Sequence, residues 1–156
     1  YGWQMFLSNP ILGVGMNNYV DYEPTGRVAH NSLIHVLAEA GAIGLYIWIG
    51  LFYFAFRNLI ETNKMIKNTN ENNIISVLAD SIKISLIGFL TTASFLSRAY
   101  EYLPYILIAL SIVVYYIAAG RKKSQYLKFS GRDLVSILGI EFGFIVMFAV
   151  GLRVFT

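Results

Sequence analysis

Four long apolar runs alternate with polar segments along the chain. The runs cover residues 33–56, 74–97, 103–119 and 134–152. The polar segments between them cover residues 57–73, 98–102 and 120–133. Each run approaches or exceeds the roughly 20 residues that an α-helix needs to cross the apolar core of a bilayer. The pattern therefore predicts an all-α integral membrane protein, a helical bundle of about four transmembrane helices.

Residues 1–32 contain no apolar run long enough to cross a membrane. The segment is rich in Gly, Asn and Pro, which favour turns, and in aromatic residues, which are common at the membrane–water interface. We expect a structured loop on the membrane face, with one short interfacial helix near residues 2–7. Because the chain opens at Tyr1, without an initiator Met or a signal-peptide pattern, we also expect it to be the C-terminal part of a longer membrane protein.

The composition agrees with this class of protein. The chain is 56% hydrophobic and 13% charged, with a mean hydropathy of +0.58, whereas soluble domains have about 25% charged residues. The net charge of +3 does not indicate nucleic-acid binding, because the basic residues lie in loops between apolar runs. The sequence contains no Cys, which excludes disulfides, Fe–S clusters and thiolate zinc sites.

The basic residues predict how the bundle is oriented. Residues 57–83 and 121–132 hold nine of the twelve Lys and Arg residues. Since cytoplasmic loops carry an excess of Lys and Arg, we expect these two regions to lie in the cytoplasm. The loop at residues 1–32 and the hairpin at residues 98–102 are then extracytoplasmic.

Ionisable side chains are concentrated where the first apolar run begins. Arg27 and His30 precede the run, and His35 and Glu39 lie within its first turns. Ionisable groups at membrane depth are rare and usually functional. A helix N-terminus attracts anions, arginine binds phosphate, and imidazole accepts a proton near neutral pH. These groups together indicate transfer chemistry on a phosphate-activated substrate.

Several of these residues also have a structural interpretation. His35 and Glu39 share a helix face because they are four residues apart, so His35 can face a neighbouring helix and Glu39 can hold a helix or an arginine in place. Arg98 and Glu101 can form a local ion pair in their hairpin. Glu141 lies inside the last apolar run, and the sequence identifies no partner for it.

Other features indicate packing more than chemistry. We expect Gly41 and Gly44 to allow close helix packing. Tyr100 and Tyr102 are more typical of interfacial anchors than of platforms that stack on a sugar. Asn31 or Ser32 is the expected N-cap of the first long helix. The sequence shows no Ser/His/Asp arrangement of the kind used in nucleophilic catalysis. It also shows no carboxylate cluster for Mg²⁺, so we predict no metal site.

Three short patterns carry a family resemblance. They are PILGVG at residues 10–15, HN at 30–31 and, after nine intervening residues, GAIG at 41–44. Together they resemble the signature of the O-antigen ligase / O-antigen polymerase superfamily of membrane glycosyltransferases. The RAYEYLP hairpin at 98–104 is also similar to the segment that follows the next helix in that family. The resemblance covers residues 1 to about 120.

The resemblance implies a substrate and roles for particular residues. The donor would be an oligosaccharide linked to undecaprenyl diphosphate, transferred with inversion and without a metal or cofactor. His30 matches the family histidine that deprotonates or orients the acceptor hydroxyl. Arg27 and Arg98 are candidates for binding the diphosphate leaving group, and Asn31 and Glu39 are further candidates for substrate binding.

The acceptor and the cellular process stay open at this stage. The hydroxyl would belong to another glycan repeat, to a lipid A core or to a protein, at the outer face of the bacterial cytoplasmic membrane. The Ile-, Asn- and Lys-rich composition weakly favours a capsule or exopolysaccharide polymerase over a lipopolysaccharide ligase. The alternatives from other classes are a membrane transporter, which needs ionisable groups at mid-depth in several helices, and a non-catalytic membrane subunit. The lipid bilayer is a partner in every case, and nucleic acid is a partner in none.

Overall fold

The structure, a computed structural model, describes residues 1–27, 29–67, 73–120 and 129–154. Within these ranges the chain forms six α-helices and no strand. The helices are α1 (Gly2–Ser8), α2 (Tyr19–Tyr22), α3 (Ser32–Lys67), α4 (Asn73–Ala93), α5 (Tyr102–Ala119) and α6 (Gly131–Val154). The short helix expected near residues 2–7 corresponds to α1.

Four of these helices, α3 to α6, are long and apolar enough to cross a membrane. This confirms the prediction of an all-α multi-pass membrane protein with about four spans. Helix α3 is the axis of the bundle, because α1, α4, α5 and α6 all pack against it. The fully buried side chains of Leu37, Leu45 and Leu59 form the centre of the core along α3.

The helix α3 extends well beyond the apolar run that predicted it. Residues up to Lys67 are helical, although a loop was predicted from residue 57. One reason is that this polar stretch still buries one side: Leu59 and Thr62 have no exposed surface. Another is that Asn63 donates a hydrogen bond to Asp80 of α4 over 2.7 Å. Residues 68–72 of the predicted loop lie outside the described residues.

The other boundaries shift by smaller amounts. Helix α4 ends at Ala93, before the predicted end at residue 97, and a turn at residues 94–101 follows it. Helix α6 begins at Gly131, where the Asp133 carboxylate accepts a hydrogen bond from the Ser130 amide over 2.8 Å. Residues 121–128 of the predicted loop at 120–133 lie outside the described residues.

The first span is broken at Gly41, where the backbone leaves the helical conformation (φ 65°, ψ −166°). Residues 10–15 fill this break with their own backbone. The carbonyls of residues 38–39 accept hydrogen bonds from the amides of residues 14–15, both over 2.9 Å. The amides of residues 42–43 donate to the carbonyls of residues 10–11 over 2.9 and 3.3 Å. The break therefore leaves these backbone groups paired, as a membrane segment requires.

The two glycines of GAIG allow close contacts at this break and not between two helices. A Cβ on Gly41 would lie 2.3 Å from the Ile11 carbonyl oxygen. A Cβ on Gly44 would lie 2.1 Å from the Ala40 Cβ, across the break in the same helix. The expectation that these glycines bring two helices together is therefore wrong: the close approach is to a loop at Gly41 and within α3 at Gly44.

Helix α6 is held to α3 by a polar contact and an apolar stripe. The Arg57 guanidinium and the Tyr53 hydroxyl both donate to the Asp133 carboxylate, over 2.5 and 3.0 Å. The apolar stripe of α6 begins one turn further along, with the buried Ile137, and continues through side chains that pack against the core: Phe144, Ile145 and Phe148. Glu141, two turns after Asp133, is also buried. One carboxylate oxygen of Glu141 is buried without a hydrogen-bond partner among the described residues.

Candidate functional site

Two separate segments meet at one end of the bundle, which we call the site end: the start of α3 with the residues before it, and the turn at residues 94–101. The Asn31 side-chain amide donates to the Ser94 carbonyl over 2.9 Å. The Ser32 hydroxyl donates to the Leu96 carbonyl over 2.7 Å and accepts from the Arg98 amide over 2.8 Å. These bonds place the His30-Asn31 pair beside the turn that carries Arg98.

Asn31 has a second contact that defines where α3 begins. Its side-chain oxygen accepts hydrogen bonds from the amides of Leu33 and Ile34, over 2.9 and 3.1 Å. This is the N-cap arrangement that satisfies the free amides of a first turn, and it confirms the cap predicted at this position. Both polar atoms of the Asn31 side chain therefore have partners within the protein.

His30 and Arg27 are placed differently from Asn31. Both residues are exposed, and neither side chain forms a hydrogen bond with another residue in the described ranges. The backbone at Arg27 is held by Glu23, whose carboxylate accepts from the Arg27 amide over 2.8 Å and from the Thr25 hydroxyl over 2.7 Å. These bonds hold the pKa of Glu23 below its ordinary value, the Arg27 amide being the main cause. The imidazole and guanidinium groups are therefore accessible at the protein surface.

Arg98 forms the local ion pair that the sequence allowed as an alternative. Its guanidinium lies 2.6 Å from the Glu101 carboxylate, and both side chains are about half exposed. The pair lies at the edge of a cavity of about 430 Å³ between α4 and α5. The side chains around this cavity are Ser85, Phe89, Thr92, Arg98, Glu101, Leu103 and Leu107.

Glu39 lies beneath the surface of the site end, with only 1% of the residue exposed. One carboxylate oxygen accepts from the Tyr19 amide over 3.0 Å and lies 3.2 Å from the His35 Nε2. The other oxygen accepts from the Tyr100 hydroxyl over 3.0 Å. A buried carboxylate is stable only with such partners, and here they come from the N-terminal loop, α3 and the turn.

The His35 ring is enclosed on several sides. Its Nδ1 is hydrogen-bonded to the Ser97 hydroxyl, on the opposite edge from Glu39. The rings of Tyr19 and Tyr100 meet it edge to face, with centroid distances of 5.3 and 5.4 Å. Burial, followed by the Glu39 charge, raises the pKa of Tyr100 above its ordinary value. The Tyr100 hydroxyl thus stays protonated and donates to Glu39.

A small cavity opens beside this ring. It has a volume of about 270 Å³ and reaches the outside of the bundle next to the turn. The residues around it are His35, Ser97, Ala99, Tyr100, Glu101 and Tyr102. Glu101 lies on both this cavity and the larger one, so the two cavities adjoin at that side chain.

Ser97, His35 and Glu39 form a hydroxyl–imidazole–carboxylate series. The same three group types form a serine-hydrolase triad, but here the two ring nitrogens are exchanged, with the hydroxyl at Nδ1 and the carboxylate at Nε2. The sequence predicted no Ser/His/Asp arrangement, whereas the structure brings these three side chains together. The only local signal was the four-residue spacing of His35 and Glu39. Ser97 lies far along the chain and joins them through the contact between the turn and α3. Among the residues that the structure describes, no group of three or more His, Cys, Asp or Glu is placed to hold a metal ion.

The site end thus combines the exposed side chains of Arg27 and His30 with the ion pair of Arg98 and Glu101, which lies at the two cavities. It also contains the buried His35 ring, which contacts Ser97 and Glu39. Comparison of the chain with protein-family models, with curated proteins and with solved structures found no match. The residues of the site end are therefore the basis on which a function can be assigned.

Proposed function

We propose that this chain is a membrane glycosyltransferase of the O-antigen ligase / polymerase type. It would transfer an oligosaccharide from undecaprenyl diphosphate to an acceptor hydroxyl at the outer face of the bacterial cytoplasmic membrane. The acceptor would be another glycan repeat, a lipid A core or a protein, in capsule, exopolysaccharide or O-antigen assembly. The observation that carries the proposal is the set of hydrogen bonds joining residues 31–32 to the turn at 94–98.

This contact supports the proposal because it brings the segment that carries His30 to the turn that carries Arg98. Transfer from a diphosphate requires cations near the leaving group, where negative charge develops, and a group that orients or deprotonates the acceptor. We assign Arg27 and Arg98 to the diphosphate and His30 to the acceptor hydroxyl. Preorganised charge at such a position is worth about 3 kcal/mol, and base assistance contributes roughly 10²- to 10⁴-fold in rate.

Asn31 and Glu39 would contribute from within the protein. Asn31 caps α3 and binds the turn, so it fixes where the neighbouring His30 is presented. Glu39 is buried and hydrogen-bonded by Tyr19 and Tyr100, so it supports the site from below. We therefore propose that both residues position the groups that contact the substrate.

The test is genetic complementation followed by glycan analysis. In a strain that lacks the gene, the wild-type protein should restore surface glycan, and His30→Ala should reduce transfer by about 10²-fold or more at equal membrane abundance. Asp21→Asn, an exposed change in the same loop, is the matched control and should behave as wild type. Loss of chain length would identify a polymerase, and polymer that is not attached would identify a ligase. An unchanged glycan profile in the deletion strain would refute the proposal.

A transporter is the second candidate, and Glu141 is the observation that favours it. This residue is 5% exposed and lies inside a helix that can span the membrane. Ionisable groups in such positions often mark ion pathways. Uptake of a solute by vesicles that contain the protein, abolished by Glu141→Gln and without any change in glycan, would support this function over transfer.

A further inference from the structure

We propose that His35, oriented by Glu39, takes the proton from the acceptor hydroxyl, and that the 270 Å³ cavity beside it binds the acceptor sugar. The inference rests on the proposed transfer function and deepens it. His30 then keeps the orienting role at the exposed surface. Three observations support it: the polar contacts of the His35 ring, the position of Ser97 and the two adjoining cavities.

The polar contacts of the ring favour one tautomer of His35. A carboxylate can only accept hydrogen bonds, and a Glu39 oxygen lies 3.2 Å from the His35 Nε2, which favours a proton on that nitrogen. In a neutral imidazole the other nitrogen is then an acceptor. The Nδ1 lone pair therefore points at the Ser97 hydroxyl, on the side of the cavity. This is the state that a general base needs before reaction.

The Ser97 hydroxyl marks where a substrate hydroxyl would bind. It is an alcohol hydrogen-bonded to Nδ1, and it belongs to the wall of the cavity. A serine side chain leaves such a contact by one rotation about its Cα–Cβ bond. An acceptor hydroxyl can then occupy the same place on Nδ1, with the same geometry.

The transfer forms one bond at the anomeric carbon of the donor sugar and breaks another. The acceptor oxygen forms a bond to the anomeric carbon of the donor sugar while the bond from that carbon to the diphosphate oxygen breaks. The bonding electrons leave with the diphosphate, which gains negative charge. The acceptor proton passes to Nδ1 of His35, and the resulting imidazolium is stabilised by the Glu39 carboxylate. The imidazolium later returns the proton to the diphosphate or to solvent.

The cavity suits one sugar ring of an acceptor. Its volume of about 270 Å³ lies just below the range of roughly 300–1,000 Å³ for small-molecule pockets. Tyr100 and Tyr102 offer aromatic surface, and Glu101 offers a carboxylate for sugar hydroxyls. Tyr102 is 84% exposed, so its ring is free to cover a bound sugar.

The neighbouring cavity indicates where the leaving group would lie relative to the acceptor hydroxyl. Glu101 separates the acceptor cavity from the cavity of about 430 Å³ on which Arg98 lies. Arg98 is one of the cations that we assign to the diphosphate. The hydroxyl beside His35 and the leaving group beside Arg98 would therefore approach the donor sugar from two adjoining spaces.

The experiment measures transfer by the purified full-length protein in proteoliposomes, with a diphosphate-linked glycan as donor and a soluble glycan as acceptor. His35→Ala should lower kcat by roughly 10²- to 10⁴-fold, and added imidazole should restore part of the rate. His35→Gln keeps a donor for Glu39 but cannot take the proton, so it should show the same loss with the fold intact. Ser81→Ala is the matched control, because the exposed Ser81 hydroxyl donates to the Val77 carbonyl within α4, and it should transfer as wild type.

Two further variants separate the roles around the ring. Glu39→Gln should lower kcat more than it changes the acceptor KM, because Glu39 positions the base and does not touch the sugar. Ser97→Ala should lower the acceptor KM, because no hydroxyl then competes for Nδ1. A loss in Ser97→Ala as large as that in His35→Ala would overturn direct proton transfer to His35.

The outcomes distinguish this inference from the function on which it rests. In one outcome, His30→Ala abolishes transfer, but His35→Ala and His35→Gln keep the rate within about threefold of wild type, which is far less than the loss expected of a general base. The inference is then wrong and the proposed function stands. If His35→Ala loses transfer but imidazole restores none of it while the protein stays folded, the proton-accepting role is also wrong. If the wild-type protein transfers no glycan, both proposals are wrong.

Discussion

Glu39 joins three separate parts of the chain through one buried side chain. Its carboxylate pairs with Tyr19 of the N-terminal loop, His35 of its own helix and Tyr100 of the turn. Removing a partner from a buried charge leaves that charge without compensation, which is more costly than losing a neutral hydrogen bond. The stability of the site end is therefore expected to depend on these partners.

Tyr100→Phe tests this dependence. The change removes only the hydroxyl that donates to Glu39, and hydrogen bonds to charged groups contribute about 1.5–3 kcal/mol. We expect the free energy of unfolding in detergent, measured by denaturant titration, to fall by about this amount. Tyr102→Phe is the control, because Tyr102 is 84% exposed, and it should leave stability unchanged. Equal stability of both variants would contradict the importance of this contact.

Glu23 makes the loop at residues 23–27 sensitive to pH. The Arg27 amide, followed by the Thr25 hydroxyl, lowers the pKa of Glu23 below its ordinary value of 4.5. A carboxyl with a lowered pKa stabilises the fold above its ordinary pKa, and this contribution is lost as the pH falls through the lowered pKa. In an NMR titration, the Arg27 amide signal should therefore shift with a midpoint below 4.5. The shift should be absent in Glu23→Gln, and a midpoint above the ordinary value would contradict the prediction.

At the scale of elements, the break in α3 makes the N-terminal loop part of the bundle. A continuous helix would pair residues 38–39 and 42–43 within itself, whereas here residues 10–15 supply their partners. Moving the loop away from α3 would therefore leave the backbone amides and carbonyls at the break without hydrogen-bond partners. This attachment also holds Tyr19 near Glu39, because Tyr19 follows the inserted segment by a few residues.

Gly41→Ala should disrupt this arrangement. A Cβ would lie 2.3 Å from the Ile11 carbonyl oxygen, and a φ of 65° is unfavourable for alanine. We expect a loss of more than about 1 kcal/mol in the free energy of unfolding, seen as a lower melting temperature in detergent. The matched control is Gly88→Ala in α4, where nothing lies within 4 Å of the new methyl group. Alanine there should be neutral or stabilising by up to about 1 kcal/mol, and a melting temperature in Gly41→Ala equal to that of the control would refute the strained break.

The attachment of α6 to α3 depends on a polar contact at the opposite end. Asp133→Ala removes the acceptor shared by Tyr53 and Arg57. Since α6 has the smallest buried share of the four long helices, we expect a lower melting temperature and faster proteolysis near α6. Arg132→Ala changes an exposed neighbour and should have no such effect. Similar behaviour of the two variants would show that the apolar stripe of α6 is sufficient.

At the scale of the whole molecule, the orientation of the bundle is the prediction that matters most for function. The sequence contains no Cys, so single-cysteine variants can report which side each segment faces. Thr25→Cys and Tyr102→Cys at the site end should react with a membrane-impermeant maleimide added outside the cytoplasmic membrane. Lys64→Cys, at the other end of α3, should react only after the membrane is opened. The reverse pattern would put the site end in the cytoplasm and exclude transfer from an outward-facing donor.

The sequence by itself determined the features that depend on neighbouring residues. The four spans follow from the length of the apolar runs, and a cap at Asn31 or Ser32 follows from the position of these residues before such a run; the structure shows that Asn31 is the cap. Their number and type were predictable because burial of a helix in a membrane depends on local composition. The local pair of Arg98 and Glu101 could also be predicted, since the two residues are three positions apart.

Only the tertiary structure decided the break at Gly41, the end of α4 and the assembly around His35. A continuous apolar run predicts one uninterrupted helix. The break in that helix is stable only because residues 10–15 replace the hydrogen bonds that are lost there. Helix α4 is followed by a turn whose carbonyls at Ser94 and Leu96 bind residues 31–32. Ser97 meets His35 by the same contact. These features depend on residues that are distant in sequence, and helical periodicity contains no information about such pairs.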